Sequence, residues 1–138
     1  MSTVLVVDDH PDQCSMLGRL LRHAGHDATC VTDGPAALDF TFASRPDLVL
    51  LDVMLPGLSG YDVLAALRAD ARTQGVPVVM YSALSDPGAR QRALDLGAQE
   101  YLVKALTGFE QLAATVERLA TPHPPAPTRP PGGWVGRS

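Results

Sequence analysis

Polar residues able to do chemistry stand where four apolar runs stop. Asp8 and Asp9 close "TVLVVDD", Asp52 closes "DLVLLD", Ser82 closes "VPVVMYS" and Lys104 follows "EYLV". If those ends meet, three carboxylates bring a charge of −3 to one place, and burying them unpaired costs on the order of several kcal/mol each. One lysine and one Mg²⁺ supply the matching +3. Mg²⁺ suits such a set because it prefers carboxylates, keeps several waters and recruits phosphate oxygens. Ser82 adds a short hydroxyl beside the carboxylates.

The elements must therefore bring the run ends together. Apolar, β-branched runs at 3–8, 27–31, 47–52, 76–82 and 100–103 alternate with amphipathic segments of helix length. That pattern predicts five βα units. "LVLLDVMLPGLSGYDVL" opens with four apolar residues in a row, as a strand covered on both faces does, and such strands belong to parallel sheets. The predicted helices span about 11–24, 34–44, 60–70, 87–96 and 108–120. Their start signals are Pro11, Asp33, a Ser59–Asp62 capping box, Asp86 with Pro87, and a Thr107–Glu110 capping box. Gly25 and Gly97 are the stop signals. Right-handed crossovers build from these an α/β, flavodoxin-like, doubly wound five-stranded parallel sheet of order 2-1-3-4-5 with five helices. In that order the ends of strands 1 and 3 lie side by side, so Asp8, Asp9 and Asp52 converge at the edge where open α/β sheets bind ligands.

The 138 residues divide into one domain over 1–120 and a Pro/Gly-rich tail or linker over 121–138, expected to be disordered. A net charge of −4 argues against direct nucleic-acid binding. No apolar run approaches the roughly 18 residues that span a bilayer, and no signal peptide opens the sequence, so a cytoplasmic protein without a membrane role is expected. Cys14 and Cys30 lack metal-site or CxxC spacing and read as ordinary thiols, with no disulfide. His23 and His26 form an HxxH without a third ligand and read as surface residues. The late "GGWVG" has no preceding strand to make it a phosphate loop.

Taken in order, "VLVVDDHPD", "LVLLDVMLPGLSGYDVL", "VVMYSAL" and "YLVKA" resemble the CheY-like receiver domain of two-component response regulators over about residues 1–120. The resemblance implies phosphorylation of Asp52 by a histidine kinase or histidine phosphotransfer protein. It implies Mg²⁺ held by Asp8, Asp9, Asp52 and the backbone carbonyl of Met54, with Lys104 pairing first with Asp52 and then with the phosphoryl oxygens. Ser82 would bond the phosphoryl group, Tyr101 would turn inward as Ser82 moves, and Pro56 and Gly60 match the loop after the acceptor. The surface of the fourth helix, fifth strand and fifth helix would then meet a downstream target or a homodimer mate. On this reading the protein is not an enzyme in its own right.

Two departures matter. The family has proline after the lysine, often across a cis peptide, and here it is Ala105. Met54 and Leu84, where side chains influence access of the hydrolytic water, are both apolar, which implies slow self-dephosphorylation. A phosphohydrolase of the haloacid dehalogenase type uses similar residues, but it places the nucleophile before the acidic pair and a second aspartate where Met54 stands. A receiver-like module that binds partners without phosphorylation is the other alternative, although none of the acidic residues or the lysine is missing.

Overall fold

In the computed structural model, residues 2–120 are described; the tail expected over 121–138 lies outside them. β1 (Thr3–Val7), β2 (Asp27–Val31), β3 (Leu48–Leu51), β4 (Val78–Ser82) and β5 (Glu100–Val103) alternate with α1 (Pro11–His23), α2 (Gly34–Ser44), α3 (Gly60–Ala69), α4 (Pro87–Asp95) and α5 (Phe109–Leu119). The strands form one parallel sheet of order β2-β1-β3-β4-β5, as the sequence predicts.

Alternation along the strands divides the core in two. Val4, Val6, Leu48 and Leu50 point to one face, where Leu17 and Leu21 of α1 and Leu112 and Val116 of α5 cover them. Leu5, Val7, Val49 and Leu51 point to the other, against Ala37 of α2, Val63, Leu64 and Leu67 of α3, and Ala93 of α4. Burying each of these valine and leucine side chains stabilises by roughly 1.5–3 kcal/mol before entropy is counted. Among the described residues no helix is long and apolar enough to cross a membrane.

Most helix punctuation is where the sequence puts it. Asp33 accepts from the Ala36 amide at 2.8 Å, Asp86 from Ala89 at 3.1 Å, and Ser59 and Asp62 form the reciprocal box. Gly25 (φ 99°) and Gly97 (φ 106°) follow α1 and α4 in the left-handed region. The Thr107–Glu110 box does not form. Lys104–Leu106 coil into a 3-10 turn closed by the Thr107 amide on the Lys104 carbonyl (3.4 Å), so α5 starts one residue later with Gly108 at its N-cap. Thr107 is then too early to cap and Glu110 one position short of its partner.

Two other expectations are corrected. Cys14 and Cys30 are joined by a disulfide, because the β1-α1-β2 crossover lays the first turn of α1 over β2 and leaves their Cα atoms 5.8 Å apart. His26 is buried, unlike the exposed His23. The turn at Gly25 folds His26 back, its amide bonds the Leu21 carbonyl at 3.0 Å, and its Nε2 lies 3.2 Å from a Glu117 carboxylate oxygen on α5.

Candidate functional site

The sheet ladder carries the acidic residues one step beyond the strands. The Asp8 amide donates to the Val31 carbonyl (3.2 Å) and the Asp52 amide to the Val7 carbonyl (3.0 Å), which fixes both residues side by side at the carboxyl edge. Asp8 is 2% and Asp52 4% exposed. From β5, the Lys104 ammonium donates to Oδ2 of Asp8 at 2.7 Å and to Oδ2 of Asp52 at 2.8 Å. Burial works to lower the Lys104 pKa, but its hydrogen bonds to Asp52 and Asp8 and their charges together outweigh it, and the pKa stands above the ordinary lysine value.

Lys104 reaches both carboxylates without the proline that usually follows it in the receiver pattern. No described peptide bond is cis, so the Lys104–Ala105 bond is trans and the chain turns through the 3-10 turn instead. The Tyr81 ring lies 5.7 Å from the ammonium, close enough for a cation–π attraction.

The loop after β3 holds Asp52 from the other side. The Met54 amide donates to Asp52 Oδ1 at 3.1 Å. The Gly60 amide donates to the Val53 carbonyl at 2.8 Å, an approach so close that a Cβ on Gly60 would collide with the backbone of Asp52 and Val53. Gly57 takes φ 72°, which an L side chain adopts only with strain. Asp52 opens into a cleft of about 450 Å³ whose lining includes Asp9, His10, Met54, Pro56 and Lys104.

One lysine does not neutralise this edge. Asp9 is partly exposed, yet its Oδ1 is buried and accepts no hydrogen bond, although His10 Nδ1 comes within 3.1 Å. His10 also approaches Asp8 Oδ1, with its amide at 3.0 Å and its Nδ1 at 3.3 Å. A buried carboxylate oxygen without a donor, beside two further carboxylates, fits a hard divalent cation such as Mg²⁺. The donor set therefore suits the metal inferred from the charge count.

Ser82 and Tyr101 lie deeper. Ser82 is fully buried, and its neighbour Ala83 is the residue of that segment lining the cleft. The Ser82 hydroxyl accepts from the Leu84 amide at 3.3 Å, while the Tyr101 hydroxyl donates to the Leu84 carbonyl at 2.8 Å. Tyr101 is 2% exposed, so it already faces inward while Lys104 spans Asp8 and Asp52. The edge thus unites Asp8, Asp9, Asp52, Met54 and Lys104, with Ser82 and Tyr101 one layer behind. Three participants escaped the sequence reading. His10 was adjacent to the acidic pair, Tyr81 was legible as the residue alternating with Met80 and Ser82, and the Leu84 backbone left no signal in its side chain.

The model for the response regulator receiver domain matches residues 4–117. The chain belongs to that family. This receiver domain is 44% identical over 116 residues to the DNA-binding response regulator MtrA of Mycolicibacterium smegmatis, a match that covers 84% of the chain and 50% of MtrA. The chain spans about half the length of the relatives it matches. Among solved structures, the receiver domain of Francisella response regulator 1452 superposes with a TM-score of 0.81 at 28% identity, covering 87% of this chain and 97% of that one. The receiver domain of the Pseudomonas aeruginosa sensor histidine kinase PA1611, with a magnesium ion coordinated in its active-site cleft, gives 0.78 at 29% identity, covering 86% and 97%.

Proposed function

We propose that Asp52 of this cytoplasmic protein accepts a phosphoryl group from the phosphohistidine of a histidine kinase or histidine phosphotransfer protein, and that the modification biases the surface of α4, β5 and α5 for a downstream target. The observation that carries this reading is a buried aspartate tied to a lysine, beside an acidic pair with an orphaned oxygen, at the mouth of a cleft.

A carboxylate is a weak nucleophile toward phosphorus, so the protein works by positioning and by neutralising the equatorial oxygens. An Asp52 oxygen attacks phosphorus in line while the P–N bond breaks, its electron pair leaving on the donor imidazole. Lys104, charged at neutral pH and already at Asp52, exchanges carboxylate for phosphoryl oxygens as partners. The Met54 amide stands next to the same carboxylate. Asp8, Asp9, Asp52 and the Met54 carbonyl would hold Mg²⁺, which would supply further positive charge to those oxygens.

The phosphoryl adds about −1.5 to −2 charge and three acceptors. Ser82 is the nearest buried hydroxyl on β4 able to turn toward them, and Leu84 links any such movement to Tyr101, since its amide and carbonyl hold one residue each. Full reversal of a two-state surface from 1:99 to 99:1 takes about 5.5 kcal/mol of differential interaction, and a partial shift takes less. Leu106, 77% exposed after β5, belongs to the responding surface. Met54, 55% exposed at the cleft, and Leu84 have no group to orient a hydrolytic water, so phosphate loss is slow.

The test is intact mass after incubation with acetyl phosphate and Mg²⁺. A gain of one phosphoryl group that disappears with Asp52→Ala or a chelator, and decays slowly once the donor is removed, is expected. An adduct that survives in Asp52→Ala overturns the assignment.

A further inference from the structure

Cys14 and Cys30 are the only cysteines in the chain, and the receiver mechanism uses neither. We propose that they form a reversible thiol–disulfide site, modified by low-molecular-weight disulfides, that fastens the first turn of α1 to β2. Their Cα separation of 5.8 Å falls within the span of about 4.4–6.8 Å that a disulfide bridges without moving backbone. A reduced Cys14 also has partners at hand. Cys14 belongs to the apolar stripe of α1, and its sulfur lies 3.4 Å from the Val31 carbonyl oxygen and 3.6 Å from that of Val6, acceptors ready for a thiol.

Exposure sets the order of events. Cys14 is completely buried and Cys30 half-buried. The Cys30 thiolate attacks an external disulfide such as oxidised glutathione, forming a mixed disulfide and releasing one thiolate. Cys14 loses its proton to solvent and displaces the second thiolate, closing the ring. Two protein thiols are oxidised and one external disulfide is reduced to two thiols.

The bond also borders the acidic loop. The Cys14 amide donates to the His10 carbonyl (2.9 Å), and the carbonyl of Val31, next to Cys30, accepts from the Asp8 amide (3.2 Å). Oxidation therefore ties together the two segments that grip Asp8 to His10 from either side. The redox site stands on its own geometry, while its bearing on metal and phosphoryl chemistry rests on the phosphoacceptor reading.

The full chain, reduced and then equilibrated in glutathione buffers of graded poise, is quenched with an alkylating reagent and weighed intact. Reducing buffers should give two alkyl groups; oxidising buffers should give none, with loss of two hydrogen atoms and a melting temperature higher by roughly 10 °C. Cys14→Ala should stop at one glutathione adduct, and Cys30→Ala should gain none. Amide exchange across residues 8–14 should slow on oxidation. Two alkyl groups at every poise, or a mixed disulfide that never closes in the natural chain, overturns the site. Unchanged exchange overturns its coupling to the acidic loop. Asp52→Ala should titrate as the natural chain does, so a failed phosphorylation result leaves this one standing.

Discussion

The loop after β3 and the loop after β5 each deliver one partner of the Asp52–Lys104 ion pair, and they are held in opposite ways. The first is fixed by its backbone: the Gly57 conformation, the Gly60 approach to Asp52, the Val53 carbonyl shared by the amides of Leu55 and Gly60, and a two-way capping box at Ser59 and Asp62. The second has a single long 3-10 hydrogen bond, an N-cap glycine without a side-chain bond, and an exposed leucine. What anchors it is Lys104 itself. Asp52 is thus set by chain geometry and its cation by charge, as the proposed exchange of partners by Lys104 would require.

Gly60→Ala attacks the backbone-held side most directly. The new methyl meets main-chain atoms that cannot rotate away, and a loss of about 3 kcal/mol in denaturant unfolding is expected. A variant as stable as the natural chain would mean that this loop yields after all. Lys104→Met attacks the charge-held side. It leaves Asp8 and Asp52 to repel, with a loss of roughly 2 kcal/mol, below the fully buried case because the lysine keeps some exposure. Added Mg²⁺ should recover part of that loss, whereas it should recover none of the Gly60→Ala loss.

The caps sharpen the contrast on a smaller scale. Ser59→Ala should cost about 1 kcal/mol, as removal of a working N-cap does. Thr107→Ala should stay within about 0.5 kcal/mol, since Thr107 caps nothing. Equal losses would erase the distinction between the loops.

Alkaline pH separates the two sides by titration. Lys104 has a raised pKa, so its contribution is complete below the ordinary lysine value of 10.5 and is lost as pH rises through the folded value. Tyr61, Tyr81 and Tyr101 are also raised, chiefly by burial, so the unfolded chain ionises first and stability falls in the same direction above pH 10.0. Tyrosinate absorbance should show all three titrating above the ordinary value. Amide exchange should accelerate around Lys104 to Gly108 before it does around Val53 to Gly60.

The fold and most of the site were legible because several signals agreed. Five apolar runs gave the strands, Asp33, Asp86 and the Ser59–Asp62 pair marked helix starts, and the sheet order alone put Asp8 beside Asp52. The misses share a cause: contacts between residues that only the folded layers bring together. Cys14 and Cys30 looked unrelated at a separation of 16, though α1 packs its apolar stripe on the strands and Cys30 pairs with Val6. His26 looked like surface until Gly25 turned it under α5. Thr107 looked like a cap because its spacing to Glu110 is right, but Lys104–Leu106 take a 3-10 turn first and Gly108 becomes the N-cap. Tyr101 facing inward depends on the position of the Leu84 carbonyl, which no side chain advertises.

The strand order also has a consequence in time. β1 is the first strand made and lies inside the sheet between β2 and the later β3, with Val4 opposite both Ala28 and Leu48. A ribosome therefore makes both carboxylate-bearing strands before it reaches Lys104, 52 residues beyond Asp52. β5, the last strand made, takes the edge beside β4 and carries the lysine in, so the charge centre that β1 begins receives its cation only from the end of the sheet.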